Sequence, residues 1–205
     1  MTTLTEVMAS GYLTELLGGM LVNFQISTLA LILGLVLGVL LLLAASTRPR
    51  LVTPLIGLMR AAPTFVVMFF LLNTVPRQFQ VFGVERVLSP EWIVALSLVP
   101  YAASYIVDNG KAALEGLRHG SRSAALLFLP NLVRAFTVLV MSSSAGVAIG
   151  VNEGVAVVLR VAETHASFGD QMLIYAIGVA AFGIVFQIGF ACVRVMMRLL
   201  QTPSG

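Results

Sequence analysis

Residues 108–130 read D-N-G-K-A-A-L-E-G-L-R-H-G-S-R-S-A-A-L-L-F-L-P, and how this stretch is taken decides the reading of the whole chain. It is the longest polar interruption in a very apolar sequence. Asp108 and Glu115 stand against Lys111, Arg118, Arg122 and His119, with apolar segments on both sides. An excess of cations beside membrane-grade sequence predicts a cytoplasmic loop, over about 109–134.

The composition agrees. Of 205 residues, 59% are hydrophobic and 10% are charged, where a soluble domain carries about 25% charged residues. A chain of this length cannot hide so much apolar surface in a soluble fold. The expected fold class is an all-α integral membrane protein, a single transmembrane domain over 1–205 with no room for a soluble catalytic domain. One cysteine, Cys192, excludes an intrachain disulfide and a cysteine metal cluster. It reads as a small apolar helix residue.

Upstream of the loop, 16–47 has no charged residue and supplies a first span over about 18–46. Gly34 and Gly38 form a GxxxG, which would let another helix approach closely. Arg48-Pro49-Arg50 ends the span. A second span follows over about 55–75, with Arg60 near enough to its end to snorkel. The segment 76–92 reads as a loop of mixed charge, and Trp92 as an interfacial anchor for a short third span, about 92–108, that contains Pro100. Downstream, 123–133 is too short to cross alone. A fourth span is expected over about 135–159 and a fifth over about 171–193, with a polar loop between them. Residues 1–15 carry Glu6 and Glu15 and no cation, unlike a secretory signal.

The cations orient this bundle. Arg48, Arg50, Arg60, Lys111, Arg118, Arg122, Arg134, Arg194 and Arg198 fall on one side, and Arg77, Arg86 and Arg160 on the other. The positive-inside rule then predicts about five spans with the N-terminus outside and the C-terminus cytoplasmic.

Gly120 to Pro130, Asn23 with Ser27, Arg60 with Pro63, and Ala103 to Asp108 fall in short motifs that together resemble the permease subunits of ATP-binding-cassette (ABC) importers, in particular the polar amino-acid uptake family. Gly120-Ser121-Arg122-Ser123-Ala124-Ala125, followed by Leu129-Pro130, resembles the Glu-Ala-Ala loop through which such permeases dock their ATPase. Ser123 replaces the Glu, and the segment from Ala125 to Pro130 is shorter than usual. Gly18-Gly19-Met20-Leu21-Val22-Asn23-Phe24-Gln25-Ile26-Ser27 resembles the G-x-x-x-T-x-x-x-S opening of the first conserved helix, with Asn23 in place of Thr. Met59-Arg60-Ala61-Ala62-Pro63-Thr64 resembles Phe-Arg-Gly-Thr-Pro-Leu, matching at Arg60 and Pro63. Ala103-Ser104-Tyr105-Ile106-Val107-Asp108 resembles Ala-Ala-Tyr-x-x-Glu, with Lys111 where the family has Arg. Asn152-Glu153 falls near a Lys-Asp of the family.

The resemblance implies a multi-pass subunit of the bacterial inner membrane, among lipid, that moves a polar or charged amino acid or similar small solute. It implies an ATP-binding-cassette ATPase dimer that holds ATP and Mg, a second permease subunit, and a periplasmic substrate-binding protein. The altered loop favours a heterodimer with a permease that keeps the full motif. It also leaves open a non-coupling interaction subunit. Gly120, Ser123, Ala124, Ala125, Pro130, Asp108 and Lys111 are the candidate coupling residues.

The residues themselves offer no catalytic or metal constellation. His119 and His165 are expected on opposite sides of the membrane, no G-x-x-x-x-G-K-[ST] is present, and nothing points to nucleic acid. ATP would have to bind a partner. Ser142-Ser143-Ser144 has no His or Lys in a span to activate it and reads as hydrogen bonding to the preceding turn or a neighbouring helix. Glu153 is the sharpest polar feature, placed by this reading within the fourth span between Gly150 and Gly154. A carboxylate there costs about 2.5–3.5 kcal/mol on insertion scales and normally faces a partner or a wet cavity. It either lines a path and binds a substrate cation, with Asn152, Asn23 and Gln25 as companions, or is protonated, paired with Arg160, or nearer the interface. Asn23 and Gln25 are equally open to an interhelical hydrogen bond. Arg60 with Pro63 also reads as an anchor and a kink, and Asp108 with Lys111 as an ion pair at i, i+3.

Overall fold

The apolar run 16–47 belongs to one helix, α1 (Tyr12–Thr47), about 54 Å long at 1.5 Å per residue. The computed structural model describes residues 11–76, 78–81, 84–120, 126 and 128–201. Its elements continue as α2 (Pro49–Ala61), α3 (Thr64–Thr74), β1 (Gln78–Val81), β2 (Val84–Val87), α4 (Pro90–Arg118), α5 (Phe128–Ser143), a 3₁₀ turn (Ser144–Ile149), α6 (Gly154–Glu163) and α7 (Phe168–Gln201). Among the described residues, four stretches are long and apolar enough to cross a membrane: α1, α4, α5 with its 3₁₀ extension, and α7. The bent pair α2–α3 makes up to five if it counts as one span.

Helix α1 is apolar all round, so its packed side is marked by small and polar residues instead. Gly19, Asn23, Ser27, Ala30, Gly34 and Gly38 recur every three or four positions and are buried. This stripe lies mainly against α4. A Cβ on Gly34 would overlap that of Ala102, and one on Gly38 would stand 2.7 Å from Ile106 Cβ. The GxxxG is therefore a helix–helix contact. Ile26 and Ala30 join Met68, Ile93, Val94, Leu98 and Leu139 in the main core, while Tyr12, Leu16 and Met20 pack with Val157, Val158 and Ile174.

Four element boundaries differ from the sequence expectation. The second span, 55–75, is two helices that meet at 99°. Ala62 and Pro63 are both extended there, because proline removes an N–H and pushes its predecessor out of the α region. The loop 76–92 contains an antiparallel hairpin with Gln78 opposite Val87 and Gln80 opposite Glu85. The third span does not stop at 108: α4 runs through Pro100 and on to Arg118, so the first part of the supposed loop 109–134 is helix. Its residues Lys111-Ala112-Ala113-Leu114-Glu115 are strong helix formers, and Gly120, at φ 75°, closes the helix end. The fourth span, 135–159, is broken. Helix α5 tightens into the 3₁₀ turn, Gly150 adopts φ 86°, and α6 restarts at Gly154.

Of the four membrane-grade stretches, α7 is the least buried. Val179, Ile184, Ile188, Val195 and Leu199 all lie exposed along it, an apolar surface suited to lipid.

Candidate functional site

The break between α5 and α6 places a polar cluster inside an otherwise apolar bundle. Glu153 caps α6, its Oε2 accepting from Val155 N and its Oε1 from Ala156 N, each at 2.9 Å. These are two of the N–H groups that a helix start leaves without partners. Asn23 of α1 reaches the same point. Its Nδ2 donates to Glu153 Oε2 at 2.9 Å and to Ser143 Oγ at 2.9 Å, and its Oδ1 accepts from Gly154 N at 2.9 Å. Ser143 in turn donates to Val140 O, and Ser27 to Asn23 O. Asn23, Ser27, Ser143 and Glu153 are all fully buried. Gly19, one turn before Asn23, is what lets the strand of backbone at Glu153–Gly154 lie this close. A Cβ there would stand 2.8 Å from Glu153 C.

Glu153 therefore sits at the head of a short helix rather than midway along a spanning one. It holds three hydrogen bonds and is sealed from solvent in this conformation. Arg160 is not its partner. The guanidinium donates to Asn152 Oδ1 at 3.0 Å and pairs with Glu15 Oε2 at 2.9 Å, at the exposed surface. Asn152 thus lies outside the buried cluster, joined to α6 and the start of α1. Gln25 is exposed on another face of α1 from Asn23, since residues two apart on a helix are separated by about 200°.

Behind the cluster lies a cavity of about 520 Å³ between α5, α6 and α7, lined by Met141, Ser144, Val155, Leu159, Tyr175 and Phe182 among others. Ser144 belongs to both, lying 3.4 Å from Asn23 Nδ2. Phe182 closes the wall between them, with its Cζ 2.7 Å from where a Cβ on Gly154 would be. The lining is mostly aliphatic and aromatic, with Ser144 and Tyr175 as its hydroxyls.

A second polar contact joins two motif-bearing stretches. Arg60 Nη2 lies 2.7 Å from both Asp108 Oδ1 and Oδ2, tying the end of α2 to α4. Asp108 thus turns to Arg60 and not to Lys111, which is exposed. Pro63 is the N-cap of α3, at the corner just beyond Arg60. One residue on from Asp108, Asn109 Oδ1 accepts from Asn131 Nδ2 at 2.8 Å, fastening α4 to α5. Pro130 stands in the first turn of α5. Gly120 terminates α4, and Ser123, Ala124 and Ala125 lie outside the described residues.

Sequence reasoning missed Asn109, Asn131, Glu15 and Gly19 as contact residues. Gly19 had a signal, since it stands four residues before Asn23 on the same helix face. The Asn109–Asn131 pair had none, because a lone carboxamide within a helix or its first turn shows no partner in sequence. No three His, Cys, Asp or Glu side chains come together among the described residues.

No protein-family model matches this sequence. No curated protein matches it either. A solved structure does match in fold: a chain from the crystal structure of an amino acid ABC transporter with histidines. The likeness covers 94% of this chain and 97% of that chain, with a TM-score of 0.73 and 17% sequence identity. This chain has, nearly end to end, the fold of that amino acid ABC transporter chain.

Proposed function

We propose that this chain is the membrane-spanning permease subunit of an ATP-driven ABC importer, moving a polar or charged amino acid or a similar small solute across a bacterial inner membrane. The observation that carries this reading is the fold likeness over almost the full length of both chains. The bent pair α2–α3, taken as one span, gives five crossings with the N-terminus outside and the C-terminus cytoplasmic, in keeping with the cation distribution. The chain itself is no enzyme in this reading. A separate ATPase dimer binds ATP and Mg, a second permease completes the pathway, and a periplasmic binding protein delivers the solute.

The break at 150–153 is where a path would be sought, because irregular backbone at membrane depth is tolerated only inside protein or beside a cavity. Asn23 and Glu153 would meet the solute only in a state in which α6 has moved off α1. Here each already satisfies the other.

Recovery of the chain from its native membrane in mild detergent, followed by mass spectrometry, tests the assembly. An ABC ATPase, a binding protein and a second permease with an intact Glu-Ala-Ala loop should copurify. Recovery with no ATPase at all would overturn the importer reading. A second reading, a scaffold subunit that does not couple to ATP, is favoured by the short sequence between Ala125 and Pro130 and by Ser123 in place of the motif's Glu. It predicts the partner permease in the eluate and crosslinks from the ATPase to that partner alone.

A further inference from the structure

Away from the buried cluster, a smaller cavity of about 220 Å³ opens between α1 and the start of α4. Gln25, Ile26 and Leu29 line it from α1, and Ser89, Glu91 and Trp92 from α4 and its cap. Three of these lining residues, the exposed Gln25 and the half-buried Ser89 and Glu91, carry polar side chains. Gln25, Ser89 and Glu91 make no side-chain hydrogen bond or ion pair among the described residues, and Ser89 does not cap α4 although it holds the cap position. An acid in a first helical turn is favoured by the free N–H groups there, and a tryptophan by a membrane interface. Those preferences explain Glu91 and Trp92 singly. They do not explain why Gln25, Ser89, Glu91 and Trp92 line one concave space together.

We propose that this cavity is a binding site for a primary ammonium group carried on a short apolar stem. Glu91 supplies the opposite charge, Gln25 Oε1 and Ser89 Oγ accept the other N–H groups, and the Trp92 ring attracts the cation over its face. Ile26 and Leu29 receive the stem. The same chemistry is presented by a free amino-acid-like solute and by an ethanolamine lipid headgroup. The site does not depend on the import reading, because binding is measured on the resting chain without transport.

Trp92 is the single tryptophan of the protein, so its fluorescence reports on this cavity alone. The full chain is placed in nanodiscs of phosphatidylglycerol, and separately of phosphatidylethanolamine with phosphatidylglycerol. Each is titrated with ethylammonium chloride against a sodium chloride control. Ethylammonium should change Trp92 emission saturably in phosphatidylglycerol. Glu91→Gln should weaken half-saturation about tenfold or more and Gln25→Leu roughly threefold to tenfold, while Glu91→Asp, which keeps the charge, should stay within a few-fold. A raised half-saturation in the phosphatidylethanolamine discs identifies the headgroup as a natural occupant, and an unchanged one identifies a free amine. No saturable change in either lipid would overturn the site. So would a Glu91→Gln titration that superimposes on the unsubstituted chain, with both proteins monodisperse and showing the same starting emission.

Discussion

Asn23 and Glu153 stand 130 residues apart in the chain and 2.9 Å apart in the fold. Three N–H donors converge on the Glu153 side chain, from Asn23, Val155 and Ala156. A glutamine there would turn an NH₂ toward at least one of them, and an unsatisfied buried donor costs about 1–3 kcal/mol. Glu153→Gln should therefore lower the melting temperature in detergent. Combining Asn23→Asp with Glu153→Gln should recover part of the loss, since the carboxylate, now on α1, would accept from both the new carboxamide and Gly154 N. If Glu153→Gln melts unchanged but loses uptake of cationic solutes, the capping role gives way to a substrate contact. At this scale the sequence marked Glu153 and Asn23 as unusual, because a carboxylate and a carboxamide in apolar runs are costly. It could not show that they satisfy each other, since that pairing depends on where α5 breaks. Likewise Arg60 and Asp108 were each legible within separate motifs, and only the fold brings them to 2.7 Å.

Among the elements, α1 shows why hydrophobic periodicity fails in such a chain. Leu, Val and Ile occupy its lipid side as readily as its core, so the contact stripe is written in Gly, Ala, Ser and Asn. That stripe was legible at Gly34 and Gly38. Their packing is tight: Gly34→Val or Gly38→Val should cost about 1–3 kcal/mol through overpacking and yield aggregated or low-melting protein in size-exclusion chromatography. Gly57→Ala and Gly183→Ala, where an added Cβ would meet nothing within 4 Å beyond its own stretch of helix, should behave like the unsubstituted chain. Equal tolerance at all four positions would refute the α1–α4 contact. The breaks were harder to read. Pro100 leaves α4 continuous whereas Pro63 ends a helix, and the difference lies in the backbone around each proline. Gly150, with φ 86° and open space around it, marks its break by backbone conformation rather than by packing.

The molecule as a whole was legible as a helical bundle with several membrane-grade segments, because composition alone excludes a soluble core. Its crossing number was not, since α2 and α3 meet at 99° and each is too short to cross alone. Cysteine labelling settles this. After Cys192→Ser, single cysteines at Arg50 and His119 should be labelled only from the cytoplasmic side, and one at Gln80, in the hairpin, only from outside. If the cysteine at 80 is labelled from the same side as that at 50, the α2–α3 pair turns back and the bundle has four crossings. The contact between Asn23 and residues 143–154 also sets an order of assembly during synthesis. The first helix reaches the bilayer with an unanswered carboxamide and remains so until more than half the protein has followed it out of the ribosome. A nascent chain halted before residue 143 would hold that group bare in lipid, a distinguishing mark of incompleteness that membrane quality control could act upon.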